Sequence, residues 1–119
     1  MARQLIRETA HARGIRLSVH ARWQANPLQP AAYPLLDTDF ELARELGAVL
    51  LNIHLFHEEG LESFLEAVLP LVRRTAEAGL QLSIENTPHH SPELFNELFA
   101  RLRDLRPLET RHVGMCLDI

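Results

Sequence analysis

The chain has 119 residues, 46% of them hydrophobic, and a formal net charge of −4 from 16 acidic against 12 basic side chains. That apolar content suffices for one core, while basic residues scattered singly or in short groups such as Arg73-Arg74 form no positive stripe for a phosphate backbone. A single cysteine, Cys116, excludes an intrachain disulfide. No apolar run reaches signal-peptide or membrane-spanning length, so a cytoplasmic protein without a membrane partner is expected.

Residues 3–12 read as the end of a helix, with Gly14 placed for its C-cap. Residues 15–21 (IRLSVHA) read as a strand. Residues 22–36 contain three prolines, and this density predicts a long ordered loop or lid. The next helix is expected to open at Asp37-Thr38, where Thr38 and Glu41 have the spacing of a capping box, and to stop at Gly47. Residues 48–56 (AVLLNIHLF) are too continuously apolar for a strand with one wet face, which points to a parallel sheet covered on both sides. A third helix is predicted over 61–78, with Pro70 bending it, then a strand over 79–86. Ser91 followed by Pro92 marks a fourth helix start. Pro107 is its expected stop, and HVGMCLDI is the fourth strand. Strict alternation of helix and strand implies βαβ units in a parallel α/β sheet.

Each strand closes on a similar triplet: Ser18-Val19-His20, Asn52-Ile53-His54, Ser83-Ile84-Glu85 and Cys116-Leu117-Asp118. The middle aliphatic faces the helices, and the last residue of each triplet shares the opposite face with the first. The ligand-type residues recur at spacings of 34, 31 and 33, about one strand plus one crossover. Parallel strands end at one edge, where (β/α) enzymes place their chemistry. Two imidazoles and two carboxylates there suit a divalent cation, zinc or manganese. Taken singly, a histidine after a strand is more often structural, and Glu85 alone could simply cap its loop. Recurrence of the pattern in four units favours the metal site.

The remaining candidates carry two readings each. His57 contacts substrate or is solvated. Asn86 orients a substrate group or caps its own turn, and Trp23, with Asn26 and Tyr33, walls a sugar or base or packs the loop down. His89 and His90 read equally well as surface residues. Cys116 reads best as a small buried hydrophobe.

The segments SVHA, LNIH, LSIENTP and VGMCLDI resemble the xylose isomerase-like TIM barrels. That superfamily joins sugar and sugar-phosphate isomerases and epimerases with the family 2 AP endonucleases. IENTP and the G-x-C-x-D strand are the more specific marks, and the resemblance spans residues 14–119. It implies a partial TIM barrel domain over 1–119, similar to strands three to six of a (β/α) barrel, of which a complete one takes roughly 250 residues.

Carried over by position, Glu85 resembles the central metal carboxylate and Asp118 the metal ligand of the following strand. His20 and His54 resemble the histidines that hold a further metal in the endonuclease branch or contact substrate in the isomerases. The implied activity is isomerisation or epimerisation of a sugar or sugar phosphate through a metal-stabilised enediolate. Glu85 and His54 would be catalytic; His20, Asn86, His57 and Trp23 would bind substrate. The alternatives are zinc-dependent phosphodiester cleavage, with nucleic acid as partner, and a barrel fragment without turnover. The family's Gly-His after the G-x-C-x-D strand, its ligand on strand seven and its glutamate on strand eight have no counterpart in these 119 residues. The isolated chain is therefore expected to be inactive unless a second chain or copy completes the barrel.

Overall fold

The computed structural model describes residues 2–105 and 110–118. Four strands, β1 (Ser18–His20), β2 (Leu50–His54), β3 (Gln81–Glu85) and β4 (Val113–Cys116), lie in the order β1-β2-β3-β4 and pair in parallel throughout. Helices α1 (Ala2–Ala12), α2 (Tyr33–Leu46), α3 (Leu61–Glu77) and α4 (Pro92–Leu105) alternate with them. Four parallel strands alternating with four helices make about half of a (β/α) barrel. The stop assigned to Pro107 lies outside the described residues.

Alternation along the strands divides the sheet into two faces. Val19, Leu51, Ile53, Leu82 and Ile84 point to the helical side and are buried. Against them pack Phe40 and Ala43 from α2, Phe64, Val68 and Val72 from α3, and Phe95, Leu98 and Leu102 from α4, forming one core cluster. The opposite face carries His20, Asn52, His54, Ser83 and Glu85. Helix spacing and strand spacing thus meet on one face, which leaves the other for polar side chains.

The proline-rich stretch departs from expectation. A short 3-10 turn, Pro30–Ala32, leads directly into α2 at Tyr33, four residues before the predicted start. Pro34 sits in the first turn, where a missing N–H costs nothing. Thr38 is therefore inside the helix, not its cap: its hydroxyl donates to the carbonyl of Pro34 at 2.7 Å, a back-bond typical of a helical threonine. At the other end Gly47 takes φ 63°, the left-handed conformation that closes α2. Helix α3 runs through Pro70 to Glu77.

Loop 21–29 is tied down by a buried carboxylate. Asp39 of α2 accepts from the Arg22 backbone N–H at 2.9 Å and from Arg22 Nε at 3.1 Å. Arg22 also donates to the Leu35 carbonyl at 3.2 Å. The backbone next to Trp23 is fixed by these bonds while the indole projects outward, 71% exposed.

Candidate metal centre

Strand register decides which side chains meet. His54 pairs directly with Glu85, and Glu85 with Cys116, whereas His20 pairs with Asn52. His54 and Glu85 are thus neighbours across one ladder position. His20 starts one pleat deeper, beside Asn52, and its imidazole still reaches the same carboxylate. The result is a cluster of three, His20, His54 and Glu85, each offering one ligand atom within 4.8 Å of the others. Nε2 of His20 lies 3.1 Å and Nε2 of His54 2.8 Å from the same carboxylate oxygen, Oε2 of Glu85. The two rings meet edge to face with centroids 4.9 Å apart.

The tautomers make this geometry informative. His20 Nδ1 is 2.9 Å from the Ala21 carbonyl oxygen, which can only accept, so Nδ1 carries a proton. In neutral His20 the lone pair on Nε2 then faces a carboxylate oxygen at 3.1 Å. Two acceptors at that distance need a cation between or beside them, either a second proton or a metal. His54 Nδ1 is buried without a hydrogen-bond partner, leaving Nε2 as its one engaged edge. Ligands about 2.1 Å from a tetrahedral zinc stand roughly 3.4 Å apart, so side-chain shifts of roughly half an ångström would admit an ion. The donor set therefore fits a divalent cation.

Burial grades across the cluster. The Glu85 side chain is 12% exposed and that of His54 19%, against 54% for His20. Beneath them the Ser83 hydroxyl donates to Asn52 Oδ1 at 2.6 Å, with both residues buried. Replacing Ser83 by Ala strands that amide oxygen and is expected to cost about 1–3 kcal/mol in chemical denaturation at pH 7. A change below about 0.5 kcal/mol would show that the pair does not anchor the floor.

Asp118, expected as a fourth ligand, is not in the cluster. It lies beyond β4, two residues past the position paired with Glu85, and is exposed. Its backbone is held instead: Asp118 N–H donates to Asn86 Oδ1 at 2.7 Å, and Asn86 Nδ2 donates to the Asp118 carbonyl at 3.1 Å. Asn86 thus spends its amide on the backbone of the chain after β4. Leu117, just past the end of β4, is 64% exposed. The register partner of Glu85 is Cys116, whose thiol donates to Glu85 Oε1 at 3.8 Å. Burial, followed by the Glu85 and Asp118 carboxylates, pushes that thiol above its ordinary pKa, so it stays protonated.

Beside His54 opens a cavity of about 550 Å³ that also involves Trp23, His57, His89 and His90. His57 and His90 face each other at 6.3 Å between ring centroids. Asn26 turns away from it, buried, its side chain bonded to the Leu28 N–H and to Glu58. In the sequence Glu58 carries no mark and His90 looks like a surface residue, one of two histidines after a turn; the Thr87-to-His90 spacing of a tight turn is the available signal. Burial, His57 and His89 lower the His90 pKa from the ordinary 6.5, against a smaller raising effect of Glu58. A depressed histidine pKa favours the folded state fully above pH 6.5, and this contribution falls away as the pH drops through the folded value. NMR titration is expected to place the His90 midpoint below the ordinary 6.5; a midpoint at or above that value would contradict the packing.

No helix among the described residues is long and apolar enough to cross a membrane. Comparison with protein-family models gives no match, and comparison with curated proteins gives none either. Among solved structures the chain resembles the TTHB071 protein from Thermus thermophilus, in a crystal soaked with ZnCl2, with a TM-score of 0.68 and 26% sequence identity. The match covers 98% of this chain and 50% of that one, so the chain spans about half the length of its structural relative.

Proposed function

We propose that residues 1–119 form a contiguous part of a larger (β/α) barrel domain that isomerises or epimerises a sugar with a divalent metal, zinc or manganese. The observation that carries the reading is the convergence of His20, His54 and Glu85 on one point at the strand ends, beside an open cavity. Three protein ligands leave a coordination position for substrate, as catalytic metal sites require. When bound, the ion would supply Lewis-acid polarisation of adjacent substrate oxygens.

The protein groups would do the rest. Glu85 presents Oε2 to both histidines, and Oε1, which accepts from the Cys116 thiol, would take the proton next to the substrate carbonyl, which makes Glu85 both ligand and base. With Nε2 of both rings on the ion, His20 Nδ1 on the Ala21 carbonyl and His54 Nδ1 buried, the two histidines would act on the substrate only through the ion they hold. Asp118 would join the ligand set only by turning toward the triad.

Zinc titration by calorimetry tests the first step: one ion per chain is expected, and none in a His20→Ala, His54→Ala double variant. The metal-loaded complete barrel, incubated with xylulose in D2O, should then exchange the proton on the carbon next to the carbonyl, followed by NMR. Tight metal binding without exchange would remove the isomerase reading. A second reading, zinc-dependent phosphodiester hydrolysis, draws support from the two-histidine, one-glutamate donor set and from the zinc-soaked relative. Cleavage of bis(4-nitrophenyl) phosphate in place of proton exchange would favour it.

A further inference from the structure

The cavity beside His54 has a composition that discriminates among substrates. Its apolar walls are Trp23, Leu55 and Phe56, and its polar groups are His54, His57, Glu58, Thr87, His89 and His90. Among the described residues no arginine lines it. Arg22, next to Trp23 in the chain, is committed to Asp39 and the Leu35 carbonyl, and the sequence contains no lysine.

The tautomer of His90 is set by its turn. The Thr87 backbone N–H donates to His90 Nδ1 at 3.1 Å, so Nδ1 is an acceptor and the ring proton sits on Nε2. His90 is then a neutral, single hydrogen-bond donor. Its lowered pKa agrees with that assignment. Glu58 is oriented by buried Asn26, whose Nδ2 donates to Oε1 at 3.2 Å. A carboxylate fixed in this way accepts from hydroxyl groups and repels a phosphate.

We propose that this cavity takes the non-reacting end of an unphosphorylated, polyhydroxylated substrate, a free sugar or polyol. Trp23 lies against its C–H face, while His90 donates to and Glu58 accepts from its hydroxyls. The proposal deepens the isomerase reading and rests on it for the identity of the reacting end. A volume of about 550 Å³ is within the range of small-molecule sites. An indole that is rigid, outward and next to an anchored backbone suits stacking on a sugar ring.

Trp23 is the one tryptophan of the chain, so its fluorescence reports the cavity directly. The probes are xylitol and xylitol 5-phosphate, a pair that differs only in the phosphate and has no carbonyl to react. Metal-free full chain is titrated with each. Xylitol is expected to change the emission saturably and to bind at least about tenfold more tightly than its phosphate, the size of one unfavourable charge contact near a surface. Glu58→Gln should narrow that gap at least about threefold, and His90→Ala should weaken xylitol about three- to tenfold through loss of one hydrogen bond. Equal or tighter binding of the phosphate, or no response to either probe, overturns the proposal. Because neither metal nor turnover enters the titration, xylitol binding without proton exchange would remove the reaction and leave the cavity assignment standing. The opposite pair of results would do the reverse.

Discussion

Replacing Glu85 by Gln is expected to lower divalent-metal affinity by at least about a hundredfold, more than the 10- to 100-fold typical of losing a group behind the ligands. The amide keeps the shape of the side chain but removes the one negative charge that both imidazole Nε2 atoms face. It also presents an N–H₂ group to the His20 Nε2 lone pair, so that contact would be satisfied by a hydrogen bond and lose its demand for a cation. Calorimetric titration with zinc, beside circular dichroism to confirm folding, reads the result. Near-unchanged affinity in a folded Glu85→Gln protein would mean that the triad is not where the metal binds.

Phe64→Ala is the substitution expected to damage the fold most. Phe64 is fully buried in α3 and belongs to the cluster that closes the helical side of the sheet. Truncation of such a ring costs about 3–5 kcal/mol, a large share of the 5–15 kcal/mol that holds a typical domain together. Trp23→Ala, a larger deletion at a 71% exposed position, is expected to change stability by no more than about 0.5 kcal/mol. Guanidinium denaturation of the two variants should therefore rank them opposite to side-chain size. Equal destabilisation would show that Trp23 packs the loop down and is not held outward.

Much of the architecture is legible in the sequence because each element has its own period. The apolar stripe of α3, Phe64, Leu65, Val68, Leu71 and Val72, repeats at helical spacing and is buried as that spacing requires. The stretch from Leu51 to Leu55 alternates: Leu51 and Ile53 meet the helices, Asn52 and His54 turn to the polar face, and Leu55 is buried just past the strand end. What misleads is proline density: three prolines suggest a loop up to residue 36, yet Pro34 favours a helix when it falls in the first turn.

The site is only partly readable. Equal spacing of ligand residues suggests equal height on the sheet, but the strands are staggered, and pairing aligns His20 with Asn52 while aligning His54 with Glu85. Stagger is a property of the twisted, tilted sheet that a barrel needs, and no single strand encodes it. The same stagger pairs Cys116 with Glu85 and carries Asp118 past the cluster. His20, His54 and Glu85 meet because a long imidazole spans one pleat, a compensation visible only once the ladders are aligned.

The polar face of the sheet also bears on how the chain finds its correct alignment. Sliding β3 against β2 by two residues would leave every aliphatic side chain on its proper side, so oil-and-water sorting cannot distinguish that mistake from the native arrangement. It would, however, move Glu85 away from His54 and separate Ser83 from Asn52. An ion that needs all three donors would recognise only one of the two alignments, and so would act as a proofreader of strand pairing while the protein folds.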